Sequence, residues 1–257
     1  ILRETMMEVT ELYYPQIAVR AGPYCFNQGI EIEIHSAKSS YFSWAKIRFT
    51  ENYHPKLILN RDTPATIQLG YHGILEDVFT GYIAAPYNQG SSINEIMMKD
   101  EMMKLENTMI NDTFLDTTPQ EMLAFILAKA GFTQMKLSTK VYPIRRMLPI
   151  KQQNAVQAIH TIHAAWGIRV PFFFSGGIFY WDEKPEQKKI YTFTYGVNIL
   201  SLNRTGGIWK LETVSMPFIK HSHKIHLIHP QITGEVKVLK VELTTNDSGF
   251  IRTYIYF

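Results

Sequence analysis

Residues 62–83 read DTPATIQLGYHGILEDVFTGYI, and the reading of this stretch decides the fold. From Thr63 to Tyr71 apolar and polar residues alternate, which places Ala65, Ile67, Leu69 and Tyr71 on one face of a strand. His72-Gly73 follows as a turn, and Val78 to Ile83 returns as the next strand. The same alternation lies upstream. Ile30-Glu31-Ile32-Glu33-Ile34-His35 is a strand with one buried face, and serines at Ser36, Ser39 and Ser40 break it. A further strand sets Ala45, Ile47 and Phe49 opposite Trp44, Lys46 and Arg48. Short strands at this spacing predict a β-meander, in a barrel or sandwich, over the first hundred residues.

Composition shifts after Gly90. Asp100 to Glu106 fits one or two helical turns, and a well-specified helix starts at Thr118. Thr118 and Glu121 stand at capping-box spacing, Pro119 takes the first helical position, and Met122, Phe125, Ile126 and Lys129 follow at 3-4 spacing. Gly131 supplies the left-handed stop. A second helix has Asn154 as cap, Gln157 at the capping-box position, a stripe of Val156, Ile159, Ile162, His163 and Trp166, and Gly167 as its end. A hairpin follows, Val170 to Phe174 and Ile178 to Trp181 around Ser175-Gly176-Gly177. Its strands are apolar on both faces, so both should be covered. The last sixty residues return to strands, with Glu235 to Leu243 and Phe250 to Phe257 closing across Asn246-Asp247-Ser248-Gly249. The apolar phase slips between Val238 and Leu239, which suggests a bulge or a strand buried on both sides. The expected class is α+β, mainly β, with regions 1–96 and 196–257 flanking an α+β middle region, 97–195.

In 257 residues, 46% are hydrophobic and 19% charged, enough for a sizeable core and contrary to disorder. The net charge of +3 is small and not clustered, so no nucleic-acid grip is expected. Cys25 is the only cysteine, which excludes an intrachain disulfide and a cysteine-built zinc site. No apolar run approaches a membrane span and no signal-peptide pattern opens the chain. Histidines gather at His221, His223, His226 and His229, with His160 and His163 elsewhere. Lys220 to His229 reads as extended, so His221 and His223 share a face that His226 does not. Without an HExxH motif these two are weak metal candidates only, and no metal or cofactor is expected.

No nucleophile elbow is present, and Cys25 sits between Tyr24 and Phe26 without an evident base. Glu31 with Glu33, and Asp182 with Glu183, read as ordinary surface acids rather than paired glycosidase carboxylates. Gly176-Gly177 and Gly206-Gly207 lie in turns, not in phosphate loops. The short basic run from Lys140 to Arg146 reads as a solvated loop or a subunit contact. No catalytic or cofactor-binding residue is assigned, and the chain is not expected to be an enzyme.

Phe79-Thr80-Gly81-Tyr82-Ile83 opens an ordered series. Lys99-Asp100, Leu105, Thr117-Thr118 with the Pro119–Ala130 helix, Asn154 to Trp181, His229-Pro230 to Gly234, Lys240-Val241-Glu242 and Gly249-Phe250 complete it. In this order, from about residue 30 to the C-terminus, it resembles the tail hub family: phage late control gene D proteins, baseplate hubs and the N-terminal part of VgrG. The resemblance implies that the two β regions are tube-like β-barrel domains. It implies a homotrimer whose six similar barrels match a sixfold tail tube to a threefold spike. Tube, spike and other baseplate proteins would be the partners. Nucleic acid would be cargo passing through the lumen, with no stable membrane insertion. The protein would be made in the bacterial cytoplasm and reside in a virion tail or injection particle. Gly70, Phe79, Gly81, Asp100, Gly131 and Gly167 are its structural signature here. The chain is shorter than many hubs and shows no appended lysozyme, peptidase or needle domain, so piercing parts are expected on separate proteins. The competing readings are a cell-surface or carbohydrate-binding β module, with a tryptophan- or tyrosine-lined groove, and a metal hydrolase built on the histidines.

Overall fold

A computed structural model describes residues 15–50, 57–88, 94–187, 189–214, 216–246 and 250–257. The first region supplies β1 (Pro15–Ala21), β2 (Tyr24–Phe26), β3 (Ile30–Ala37), β4 (Trp44–Phe49), β5 (Ile58–Leu59), β6 (Pro64–Tyr71), β7 (Ile74–Ile83), β8 (Tyr87–Asn88) and β9 (Glu95–Lys99). The middle supplies α1 (Met102–Asn107), β10 (Met109–Thr117), α2 (Pro119–Lys129), β11 (Met135–Leu137), β12 (Arg145–Asn154), α3 (Ala155–Trp166), β13 (Phe172–Ser175) and β14 (Ile178–Trp181). The last part supplies β15 (Tyr191–Thr194), β16 (Ile199–Thr205), β17 (Ile208–Val214), β18 (Lys224–His229), β19 (Ile232–Lys237), β20 (Lys240–Thr245) and β21 (Ile251–Tyr256). The fold is mainly β: of the described residues 54% are in strands and 13% in helices.

Eleven strands form one sheet, in the order β16-β17-β21-β20-β3-β4-β9-β7-β6-β1-β2, with every neighbouring pair antiparallel. Among the described residues no sheet closes on itself as a barrel. The predicted alternation is what packs this sheet. Ile30, Ile32 and Ile34 of β3, Ala45, Ile47 and Phe49 of β4, and Ala65, Ile67 and Leu69 of β6 all turn inward. Each isoleucine, leucine and phenylalanine among them contributes about 1.5–3 kcal/mol by leaving water. Leu211, Val241, Leu243 and Ile255 from the end of the chain join the same core. The junction is the antiparallel pair β20–β3, in register from Lys240↔Ala37 to Thr244↔Glu33.

The β6–β7 turn is His72 and Gly73, both left-handed (φ 51 and 81), the hand that matches strand twist in a two-residue hairpin. β7 starts at Ile74, four residues before the predicted strand. Its outer half is largely exposed, so no core imposes an alternation there, and a register shift between Ile67 and Gln68 absorbs the change.

The closing segment differs from expectation in an informative way. Glu235 to Leu243 is two strands in different sheets, not one bulged strand. β19 pairs with β18 in the three-stranded sheet β15-β18-β19, and β20 belongs to the large sheet. Val238 bonds to the backbone of Ser222 and His223 while Leu239 bonds to Lys38 and Tyr256, so the phase slip marks the crossing. The turn at residues 247–249 lies outside the described residues, but β20 and β21 do pair as a hairpin.

In the middle region both capping boxes form, Thr118 with Glu121 and Asn154 with Gln157, and Gly167 is left-handed at the end of α3 (φ 64). Gly131 is left-handed just past α2 (φ 85). The buried stripe of α2 is Met122, Leu123, Ile126 and Leu127. Phe125 and Lys129 lie toward the outside, Phe125 edge-on to Phe114 of β10. The hairpin β13–β14 is buried on both faces, as its composition requires. Phe172, Phe174, Phe179 and Trp181 enter the helical core, and Phe173 meets His221 on the other side.

One contact fixes how the large sheet meets the middle region. A Cβ on Gly81 would lie 2.2 Å from the Lys99 carbonyl oxygen and 2.8 Å from the Asp100 Cα. Only a residue without Cβ lets the end of β9 cross β7 this closely. Gly81→Ala is expected to destabilise the fold by about 3 kcal/mol, since backbone must move to admit the methyl. Urea unfolding measures this, and an unchanged midpoint would show that the crossing is not tight.

Candidate functional site

The histidines come first because they are the strongest chemical cluster in the sequence. The structure does not give Lys220 to His229 as one extended stretch. Ser222 is left-handed (φ 70), the chain turns there, and β18 begins at Lys224. His221 is buried edge-on against Phe173 at 4.5 Å, and its Nδ1 lies 3.1 Å from the Ser222 hydroxyl. His223 accepts the Lys220 amide on Nδ1 at 3.2 Å. Burial first, then neighbouring cationic or imidazole groups (His223, Lys38 and Lys220 for His221, Lys220 for His223), pulls both down to about 4, so they are neutral at physiological pH. His163 is likewise down to about 4, chiefly by burial, and accepts the Trp181 indole N–H at 2.7 Å. These imidazoles pack, and His223 and His163 accept hydrogen bonds. No group of three metal-ligating side chains converges among the described residues.

The signature residues fall at two kinds of place. Gly131 and Gly167 end helices. Gly70, Phe79, Gly81 and Asp100 bear on the sheet and its corner. A Cβ on Gly70 would meet the Ile74 carbonyl oxygen at 1.9 Å, and Phe79 is buried in the large core. Asp100 is buried where β9 ends. Its carboxylate accepts the Ser43 amide at 2.5 Å and the Met102 amide at 3.1 Å, tying the β3–β4 connection to the start of α1. Next to it Glu101 accepts the Thr80 hydroxyl at 2.5 Å. Burial, then the neighbouring Glu101, pushes the Asp100 carboxyl up to about 8 against the pull of its amide donors; burial also raises Glu101.

These two acids border a narrow cleft where the parts of the chain meet. It is lined by Ile34 and Ser36 of β3, Phe79 and Thr80 of β7, the Ser175-Gly176 turn, Ile219 and Lys220, and Val241 of β20. Its lining holds no tryptophan or tyrosine, the residues a sugar-binding groove would use. The cleft is a packing seam between sheet, hairpin and the histidine turn.

The opposite, solvent side of the sheet is polar. His35 bridges two carboxylates, Glu33 at 2.8 Å through Nε2 and Glu242 at 3.0 Å through Nδ1, and stacks on Trp44 at 4.0 Å. Burial opposes its charge, but the bonds to Glu242 and Glu33 outweigh it and raise its pKa. Burial likewise works against Glu242, yet hydrogen bonds from His35, Lys240 and the Tyr256 hydroxyl hold it down to about 2. His35 and Glu242 face each other across the β3–β20 junction. Sequence reading placed Glu31, Glu33, Lys46 and Arg48 outward but could not supply Glu95, which meets Lys46 and Arg48, or Glu242, which meets His35, because both come from strands far away in the chain.

No family model matches the chain, and no curated protein matches it. Solved structures do. The 43 kDa tail protein of prophage MuSo2 from Shewanella oneidensis superposes with a TM-score of 0.73 at 11% identity, over 95% of this chain and 98% of that one. The tail protein from Neisseria meningitidis MC58 gives 0.67 at 10%, over 95% and 96%. An E. coli component of the type VI secretion system, described as structurally similar to the T4 bacteriophage tail proteins gp27 and gp5, gives 0.69 at 13%, over 93% and 75%. The fold is that of phage tail proteins and a secretion-system counterpart. Among the described residues no helix is long and apolar enough to cross a membrane.

The Asp100 carboxyl makes a testable contribution to pH dependence. Its pKa is raised in the fold, so its favourable contribution is complete below about pH 4. It is lost as pH rises toward about 8. Urea midpoints of the wild type should therefore carry a decline over this range that Asp100→Asn reduces, whatever that substitution does to absolute stability. Equal pH slopes for the two proteins would contradict the buried, protonated Asp100.

Proposed function

We propose that the chain is a structural hub of a phage tail or related injection machine, a trimeric ring that joins the tail tube to the central spike. The observation that carries this reading is the end-to-end match to the MuSo2 tail protein, with nearly all of both chains superposed. The secretion-system neighbour, described as similar to gp27 and gp5, supports the same role and a place in a tail or injection particle. In this reading regions 1–96 and 196–257 are the two tube-like barrel units of each subunit, and 97–195 is the α+β region between them. Three chains present six units to the tube and three copies of the middle region to the spike or baseplate. Nucleic acid passes through the lumen as cargo.

The physical work of such a hub is burial and shape matching. Among the described residues the large sheet ends at β16 and at β2, and a ring of heterologous contacts that closes is one way to cover edges of this kind. Gly81 and Asp100 serve by holding the sheet to the middle region, and Gly70 and Phe79 by closing and packing the β6–β7 hairpin.

Light scattering of the untagged protein over a range of concentrations tests the proposal. The expected mass is three times that of the chain, or a monomer that forms threefold rings with tube or spike protein. A chain that stays monomeric in their presence would overturn it.

A further inference from the structure

The solvent side of the sheet carries many charges, yet they are arranged to cancel. Six consecutive strands, β17-β21-β20-β3-β4-β9, share this side. Each lysine and arginine on them has a carboxylate within 4 Å or a tyrosine ring beneath it. Lys46 lies 3.8 Å from Glu95, and Arg48 lies 3.7 Å from Glu31 and 3.8 Å from Glu95. Lys99 bonds to Glu106 of α1 at 2.6 Å, Lys240 pairs with Glu242, and Arg252 lies 3.9 Å from Glu212. Lys210 sits over the Tyr254 ring at 4.4 Å.

The pairing follows from register. Glu31 faces Arg48 and Glu33 faces Lys46 across β3–β4, and Arg48 faces Glu95 across β4–β9. Exposed pairs of this kind contribute about 0–1 kcal/mol each, so they are a weak means of stabilising a sheet. Their larger effect is on the field above it. Opposite charges within 4 Å look neutral from beyond a Debye length of about 8 Å. A nucleic acid grip needs the reverse, cations free to displace counterions from phosphates.

We infer that this face is a track over which nucleic acid passes without being held, its cations cancelled in place by carboxylates of neighbouring strands. The inference rests on the hub reading, which supplies the cargo. The pairs do two things at once: they keep this face hydrated and polar, and they deny phosphates a foothold. A face of bare carboxylates would repel the cargo, and one of bare lysines would arrest it.

The test is binding of a short fluorescent DNA duplex at low salt, read by anisotropy. Wild type should bind weakly. The face variant Glu31→Gln/Glu33→Gln/Glu95→Gln should bind about tenfold or more tightly, with a steeper fall of log K against log salt as Lys46 and Arg48 are released. A control, Glu76→Gln/Asp116→Asn/Glu183→Gln, gains the same formal charge away from this face and should stay near wild type. Should the triple variant fail to fold by near-ultraviolet circular dichroism, Glu31→Gln/Glu95→Gln removes the carboxylates beside both Lys46 and Arg48 and should tighten binding about threefold. Wild-type binding as tight as the face variant's, or a face variant no tighter than the control, overturns the inference. The scattering mass reports on the hub reading separately. A trimer whose face variant gains nothing removes this inference alone, and a chain monomeric even beside its tube and spike proteins removes the hub reading.

Discussion

The architecture turns on one close approach. At Gly81 the backbone of β7 passes under the end of β9, with room for hydrogen but not for a methyl group. Everything nearby uses that corner. Asp100, one residue past β9, ties the β3–β4 connection to α1 through two amides, and Glu101 takes the Thr80 hydroxyl from the strand beneath. The sheet and the helical region are thus joined by backbone geometry and buried acids rather than by a broad apolar interface. Two carboxyls are kept out of water at a cost that shows in their raised pKa values. In exchange the junction has one geometry.

What the sequence revealed depended on burial. Strands with one face in the core, β3, β4 and β6, were legible because alternation is a direct imprint of that face. Both long helices were legible from their caps, since Thr118-Pro119-Gln120-Glu121 and Asn154 with Gln157 satisfy orphan amides by local chemistry alone. The ribbon β10–β12 was not. MINDTFLDT carries asparagine and aspartate, poor strand formers, and one side of the ribbon faces water, so neither propensity nor pattern marked it. β9 was hidden for a related reason, its methionines having no strong preference for strand.

The candidate functional features divide the same way. The histidine cluster was visible as a count, but its meaning depended on the turn at Ser222, which the extended reading missed. Once turned, His221 packs on Phe173 and becomes part of the cover over the β13–β14 hairpin. The charges of the sheet face were visible one by one. Their cancellation was not, because Arg48 meets Glu95 and His35 meets Glu242 only through strand order, and strand order is a property of the whole fold.

The junction of β3 with β20 also sets a timetable. The amide of Ile32 bonds to the Thr245 hydroxyl, 213 residues later. Closing so long a loop costs little more free energy than closing a shorter one, because the entropy grows only as the logarithm of length. Its cost is in time. During synthesis β3 leaves the ribosome with one edge bare and stays so until β20, which begins at Lys240, has followed. Contacts this distant fold slowly and leave strand edges open to wrong partners meanwhile. The chain must therefore spend its early life as an incomplete sheet, and a cell that makes it in quantity has to protect that edge until the end arrives.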